Sequence, residues 1–516
     1  MLPFPAKAYR GNQVMNQKKV GVVLSYGQII ITVLANLLYT PIMLRFLGQS
    51  EYGVYSLSNS VIGYFALLYT GMSSTYLRYY SVYNENNDRQ AIGKLNGLFL
   101  LLFSLIGSVS LIAGLLVAGN LEYILGSGLT EYEFSLAKVL FIIMSFNMAL
   151  LMPKTVFAAI VIAQEQFIFI KALGICTALF GPLLSILLLY FGFGSIGMSI
   201  VALTLTLTDL LVNIWYCRAK LKLPFIFSQL PYKLLPGMAA FSVFIMIQGI
   251  MDQFNWHLGK ILLSYVADSA AIAVYTIGLQ IDLLFSSMAA AFFGVVVPQI
   301  YRLVHDGKTD EITYIWIKVG RYQFYVLFFI WAAFLIFGRN FVRLWAGADY
   351  DDAYWVAIIL ITPIVIHLCQ VLGMEILRAY NKHAQWVMIH LLFSAAGFII
   401  SIPFAMKYGA IGVAVGTGIN TFIVTNIYDN WYYYKAGKLD VFKFFKNFAG
   451  FLPAAAVTML TGGFMAYVFN ADSWRNFSAM IFGFTIIYLL IMYVLAMNNE
   501  EKIILKNALR KISCRF

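Results

Sequence analysis

Charge is scarce in this chain, and acidic charge is the scarcer kind. Only 11% of its residues are charged, with 23 acidic side chains against 35 basic ones. Soluble proteins carry roughly 25% charged residues, so 516 residues of this composition leave no room for a sizeable soluble domain. Cysteine is nearly missing too. Cys176, Cys217, Cys369 and Cys514 are scattered without metal-like spacing, so neither a disulfide framework nor a metal or other cofactor is implied. The chain also lacks a Walker motif, an HExxH pair and a nucleophile elbow. An ATP-driven motor within this chain is thereby excluded.

Hydrophobicity is what the chain has in excess, at 61%. It falls in fourteen stretches, most of them 18 to 27 residues long, each able to cross a hydrocarbon core of about 30 Å. The expected spans are 21–43, 54–75, 97–118, 137–163, 167–191, 196–216 and 239–265, then 270–300, 320–337, 354–377, 385–406, 409–433, 451–469 and 477–497. The fold expected is therefore an all-α polytopic membrane protein with about 14 transmembrane helices.

An even number of spans puts both termini on one side. With the N-terminus inside, 26 of the 35 basic residues fall on cytoplasmic segments, and only Arg45, Lys138, Arg339, Arg343, Lys407 and Arg475 fall outside. Positive-inside asymmetry thus predicts a multi-pass protein with cytoplasmic N- and C-termini. The net charge of +12 needs no nucleic-acid partner, since the basic residues face the membrane lipids of an anionic leaflet. Met15 opens a more ordinary leader, Met-Asn-Gln-Lys-Lys, so residues 1–14 are expected to be an artefact of start assignment.

Internal repetition divides the spans. Gly192-Phe-Gly-Ser-Ile-Gly-Met-Ser-Ile200 returns as Lys407-Tyr-Gly-Ala-Ile-Gly-Val-Ala-Val415, 215 residues on, and each copy leads to a span ending near Trp-Tyr. More weakly, Glu51-Tyr-Gly-Val-Tyr-Ser56 aligns with Ala271-Ile-Ala-Val-Tyr-Thr276. Repeats of six spans start on the same side, which implies two six-helix lobes about a pseudo-twofold axis along the membrane normal. The resulting layout is a cytoplasmic leader 1–19, an N-terminal lobe 20–234, a C-terminal lobe 235–447, an additional transmembrane pair 448–500 and a cytoplasmic basic tail 501–516.

The stretch Met43-Leu-Arg-Phe-Leu-Gly-Gln-Ser-Glu-Tyr-Gly-Val-Tyr-Ser-Leu57, followed by Gly71-Met-Ser-Ser-Thr-Tyr-Leu-Arg-Tyr-Tyr80, resembles the N-terminal signature of bacterial polysaccharide-export flippases. Leu344-Trp-Ala-Gly-Ala-Asp-Tyr-Asp-Asp-Ala-Tyr354 is similar to their second half. These proteins belong to the multidrug, oligosaccharidyl-lipid and polysaccharide (MOP) flippase superfamily. The resemblance covers nearly the whole chain, and its motifs are structural, not catalytic. It implies a protein that is not an enzyme and that moves undecaprenyl-diphosphate-linked oligosaccharide across the bacterial inner membrane, for O-antigen or capsule synthesis. It further implies a lipid-tail groove at the last two spans and leaves polysaccharide polymerase machinery open as a partner.

Charges inside spans point to a site independently of any family, because each costs about 2.5–3.5 kcal/mol to insert. In span 239–265, Gln248, Asp252, Asn255, Trp256, Gly259 and Lys260 recur at helical spacing, which predicts a polar stripe with His257 nearby. Lys260 there suits a phosphate and Asp252 a proton or ion; the alternative is a stripe satisfied by neighbouring helices, with Lys260 snorkelling outward. Lys154 follows Pro153 and shares a face with Asn147. Either it offers a compact cation to a diphosphate, or it pairs with Asp209 or Asp282. Those two acids are candidates for H+ or Na+ coupling. His367 and His390 read as lone histidines, better explained by packing or a hydrogen bond than by ligation.

Two other functions remain open. A cation-coupled multidrug exporter of the same superfamily would share the two lobes, but it lacks the extra spans and would not favour Lys154 and Lys260. A membrane-embedded glycosyltransferase could use Asp349-Tyr-Asp-Asp352, yet charge asymmetry puts that loop outside, away from cytosolic nucleotide sugars.

Overall fold

A computed structural model describes residues 7–68, 72–86, 88–125, 129–293, 296–469, 471–503 and 506. Some side chains within these helices lie outside the description, among them those of residues 7–19, 239–245, Gln248 and Asp252. Most of the expected basic tail and the first residues of the leader also lie outside it. Among the described residues all regular structure is helical, and the chain divides into two compact units, Met1–Ala273 and Val274–Phe516.

The first unit contains α1 (Lys7–Gly63), α2 (Met72–Glu85), α3 (Arg89–Gly119), α4 (Leu121–Ile124), α5 (Glu131–Ala163), α6 (Phe167–Tyr190), α7 (Gly194–Trp215) and α8 (Leu235–Val266). Helix α9 (Ser269–Phe293) runs through the division. The second unit contains α10 (Val297–His305), α11 (Thr309–Trp345), α12 (Ala353–Cys369), α13 (Leu372–Ala379), α14 (His383–Phe422), α15 (Asp429–Lys435), α16 (Val441–Ala449), α17 (Leu452–Val468) and α18 (Trp474–Ile491). In the first unit α5 packs on α3 and α7, while α1 lies along α6 and also meets α8. In the second, α12 sits between α11 and α14, and α17 and α18 both pack on α11.

Nine helices among the described residues are long and apolar enough to cross a membrane, or eleven if two bent pairs, α12 with α13 and α16 with α17, each form one span. The difference from fourteen stretches has a backbone cause. Val23–Gly63 runs 41 residues and His383–Lys435 runs 53, each about twice what one crossing requires. Each is two helices meeting at a kinked glycine, Gly48 (φ 71°) and Gly409 (φ 54°), where a side chain would strain the left-handed backbone. Helix α8, 32 residues long, supplies the remaining stretch.

Helix N-termini leave N–H groups without intrahelical partners, and the sequence provides the caps. Asp88 accepts from Ala91 N (2.9 Å), Asp440 from Lys443 N (2.8 Å) and Ser473 from Asn476 N (3.3 Å). Thr130 and Glu133 close a reciprocal capping box at the start of α5.

The signature around Glu51 is structural, as its resemblance implied. The Ser195 N–H and hydroxyl donate to Glu51 Oε1 (2.6 and 2.7 Å), tying α1 to the start of α7. A Cβ on Gly53 would stand 1.9 Å from the Ser269 carbonyl oxygen, so only glycine permits that approach. Buried Glu133 accepts from the hydroxyls of Ser50 (2.6 Å) and Ser269. The repeat also has a backbone counterpart. Gly194 (φ 53°) and Gly409 (φ 54°) occupy matched positions of the two copies, and each following helix ends in a π-helical turn, Tyr216–Lys220 and Ile423–Tyr428.

Candidate functional site

In the first unit the embedded charges fall into a paired set and an unpaired one. Lys154 of α5 and Asp209 of α7 close on each other at 2.5 Å, with side chains 24% and 10% exposed. The pairing offered as one of two sequence readings is therefore present. On the same helix Thr204 and Thr208 donate their hydroxyls to carbonyls four residues earlier. We expect Lys154→Met and Asp209→Asn each to destabilise the protein, and the double variant to recover part of the loss. A coupling of about 1–3 kcal/mol is expected from thermal unfolding of the four proteins. Strictly additive effects would show that the pair contributes nothing.

Lys260 of α8 is different. It is buried, and among the described residues no hydrogen bond or ion pair reaches it. On α8 and the neighbouring 3-10 turn Tyr64–Leu68 are other buried polar atoms without partners among the described residues: His257 Nδ1, Gln253 Oε1 and Tyr64 hydroxyl. The His257 and Tyr64 rings stand 6.2 Å apart, and the imidazole lies close to Gly63. Asn147 Oδ1 on α5 is also buried without a partner. A buried cation without a partner among the described residues retains its charge only at a cost.

The stripe expected along α8 is only partly realised. Trp256 and His257 are half-buried and Lys260 is buried, but Asn255 is exposed. Five residues of helix turn through about 140° beyond a full revolution, which carries Asn255 off the Lys260 face. Gln248 and Asp252 lie outside the described side chains.

In the second unit Asp282 of α9 has a buried Oδ1 without a hydrogen-bond partner among the described residues, and buried Tyr275 lies about two turns before it on the same helical face. The hydrogen bond expected of His367 and His390 in place of ligation is present at His390, and the two are not isolated from each other. Both converge on Asp429, a fully buried carboxylate at the start of α15. Trp386 Nε1 donates to Asp429 Oδ1 (2.7 Å), His390 Nε2 lies 2.8 Å from the same oxygen, and His367 Nδ1 lies 3.2 Å from Oδ2. Sequence reasoning passed over Asp429. The available signal was an acid inside span 409–433, together with histidines inside two other spans.

In the acidic loop the central carboxylate, Asp351, is not free. Arg339 and Arg343 both clasp Asp351, at 2.6 Å each. The Arg339 guanidinium, then Arg343, holds the Asp351 carboxyl down to about 2, so the clasp persists through the neutral range. Among the described residues, no group of three or more His, Cys, Asp or Glu could hold a metal ion.

These features define a class: a multi-pass, all-α membrane protein with embedded polar sites in each of two helical units. Residues 18–304 match the polysaccharide biosynthesis protein family, and the chain belongs to it. A Shigella flexneri protein named as a candidate O-antigen transporter is 19% identical over 387 residues, spanning 73% of this chain and 89% of that one. Among solved structures, the lipid II flippase MurJ in an inward closed conformation superimposes with a TM-score of 0.70 at 16% identity, covering 92% of this chain and 98% of that one. An inward-facing multidrug resistance MATE family transporter of the MOP superfamily gives 0.62 at 14% identity, covering 83% and 99%. The chain shares its all-helical fold with these two structures, as the sequence resemblance implied.

Proposed function

We propose that the protein is an inner-membrane flippase that carries undecaprenyl-diphosphate-linked oligosaccharide from the cytoplasmic to the outer leaflet for surface polysaccharide synthesis. The observation that carries this reading is Lys260, a buried cation without a partner among the described residues, on an apolar helix that also carries the unpartnered polar atoms of His257 and Gln253. A diphosphate supplies the missing negative charge. Family membership and the O-antigen transporter relative support the same substrate class. The sugar's hydroxyls cannot shed water into hydrocarbon without replacement hydrogen bonds. A polar cavity presented alternately to the two sides removes that barrier without opening a pore. Export of about two negative charges toward a positive outside is favoured by roughly 4–5 kcal/mol at 100 mV.

Deletion of the gene is expected to leave the lipid-linked unit in the cytoplasmic leaflet and remove the surface polymer, while drug susceptibility changes little. The likeness of fold to a multidrug transporter supports a second reading, cation-coupled drug export. Intact surface glycan with heightened sensitivity to cationic drugs would establish that reading instead. Loss of the lipid-linked unit itself would point to a glycosyltransferase.

The proposed orientation places both termini in the cytoplasm. In a background free of native cysteines, a single cysteine at Lys233 or Lys438 is expected to be shielded from an impermeant thiol reagent in intact cells, and one at Asp351 to be labelled. Labelling at Lys233 with protection at Asp351 would invert the topology.

A further inference from the structure

We propose that Asp429, His367 and His390 form a proton-binding site within the second unit, and that its loading and release accompany the transport cycle; the second clause rests on the flippase reading above. The residues come from three elements. His367 is near the end of α12, His390 is in α14, and Asp429 opens α15 directly after the π-helical turn Ile423–Tyr428. Asp429 is completely buried, His390 is nearly so, and His367 is the more accessible at 18%.

The formal charge of this cluster depends on one proton. With both imidazoles neutral it carries −1, with one protonated it is neutral, and with both it carries +1. In a poorly solvated interior the neutral state costs least, so a sealed cluster holds one exchangeable proton. Asp429 Oδ2 and His367 Nδ1 are both buried atoms that make no hydrogen bond, although they lie only 3.2 Å apart. A small change of ring angle would place a proton between them. His367, the most exposed member, is the port for its arrival and departure.

Among the described residues, the surroundings add no competing charge inside the cluster. Alongside His367, α12 offers the thiol of Cys369, and α14 adds His383, stacked on Trp386 with ring centroids 5.5 Å apart. Tyr428, Tyr432 and Tyr433 flank Asp429 on its own segment. On α13, Glu375 and Arg378 close on each other at 2.5 Å, and Lys443 and Lys446 of α16 are exposed. A carboxylate facing two imidazoles can take up and release a proton near neutral pH, so the proton is the ligand this cluster suits.

The link to movement is the π turn. Asn426 Nδ2 within it donates to the Pro363 carbonyl of α12 (2.8 Å), and Gln370 Nε2 donates to Asn430 (2.8 Å). π turns inside helices occur often at functional positions. A shift of this turn would move the Asp429 carboxylate against both histidines, which stand on other helices.

Trp386 provides a direct readout, because its indole donates to Asp429 and lies against His390, with ring centroids 3.7 Å apart. The full-length protein in lipid nanodiscs is titrated while tryptophan emission is followed. A pH-dependent change in emission is expected that disappears in Trp386→Phe and in Asp429→Asn, and shifts by at least one pH unit in His390→Gln. Asp429→Asn keeps the size of the side chain and the oxygen that accepts from Trp386; His367→Gln is a second variant should it misfold. An identical titration in wild type and in both Asp429→Asn and His390→Gln would overturn the site. In a second arm, proteoliposomes with an encapsulated pH dye receive undecaprenyl-diphosphate oligosaccharide. Substrate-dependent proton movement in wild type, reduced at least tenfold in Asp429→Asn, supports coupling. Substrate flipping without proton movement overturns coupling. An intact emission titration with no flipping under any gradient retains the proton site and rejects the flippase reading.

Discussion

Lys260→Met is expected to yield a protein that is more stable than wild type and defective in transport. The two effects have one cause. A buried ammonium without a partner among the described residues costs folding free energy, on the order of one to several kcal/mol, and an unbranched thioether of similar length removes that cost. If the same ammonium holds a diphosphate, its loss removes a charge-assisted contact of about 2–3 kcal/mol, or roughly 30- to 160-fold in transport at limiting substrate. Lys260→Arg keeps the charge and should retain part of the activity. Thermal unfolding of the purified protein and flipping of a lipid-linked oligosaccharide in proteoliposomes measure the two effects separately. Near-normal transport by Lys260→Met would mean that the lysine only fills space.

Arg321→Met is expected to cost about 3–5 kcal/mol of stability, a larger loss than breaking the more exposed Lys154–Asp209 pair should cause. Its guanidinium reaches Glu501 through Nε (2.8 Å) and Nη2 (2.9 Å), donates to the Ala496 carbonyl (3.1 Å), and lies 4.6 Å over the Phe451 ring. Tyr325 hydroxyl and Asn498 N–H also donate to Glu501. Without Arg321 a nearly buried carboxylate loses its counter-charge. Burial pushes the Glu501 carboxyl up, but the hydrogen bonds from Arg321, Asn498 and Tyr325 outweigh it and hold the group below its ordinary value of 4.5. A depressed folded value means stability that is present above the unfolded pKa and lost as pH falls through the folded one. Wild type should therefore weaken in acid below about pH 4, and Arg321→Met should have lost that stabilisation already at neutral pH. Because a buried pair can be exchanged for apolar groups at little cost, Arg321→Met with Glu501→Leu should regain most of the loss. Unfolding of Arg321→Met within about 1 kcal/mol of wild type would show that the clasp is dispensable.

The all-helical fold and its membrane-crossing character were legible because they depend on local properties, namely run length, hydropathy and the scarcity of charge. Matched glycines were legible for a similar reason: a left-handed turn needs glycine wherever it occurs, so Gly194 and Gly409 mark equivalent points in both copies. Hydropathy separated the paired helices of the two longest segments, and the kinked glycines Gly48 and Gly409 mark where each pair meets. The polar stripe on α8 was half legible. Periodicity grouped Asn255 with Lys260, whereas the helix carries them to different environments.

What the sequence determined by itself is which side chains are costly to place in the membrane: Lys154, Lys260, Asp209, Asp282 and, overlooked, Asp429. Only tertiary structure decided which of them are compensated. Lys154 found Asp209 on another helix, Arg321 found Glu501 some 180 residues away, and Asp429 drew in two histidines and a tryptophan from α12 and α14, while Lys260 was left alone among the described residues. The physical reason is range. Insertion cost is a property of one residue in its own helix, but the partner that offsets it acts through hydrogen bonds and close charge contacts of about 3 Å, a distance that only the packing of separate helices can set.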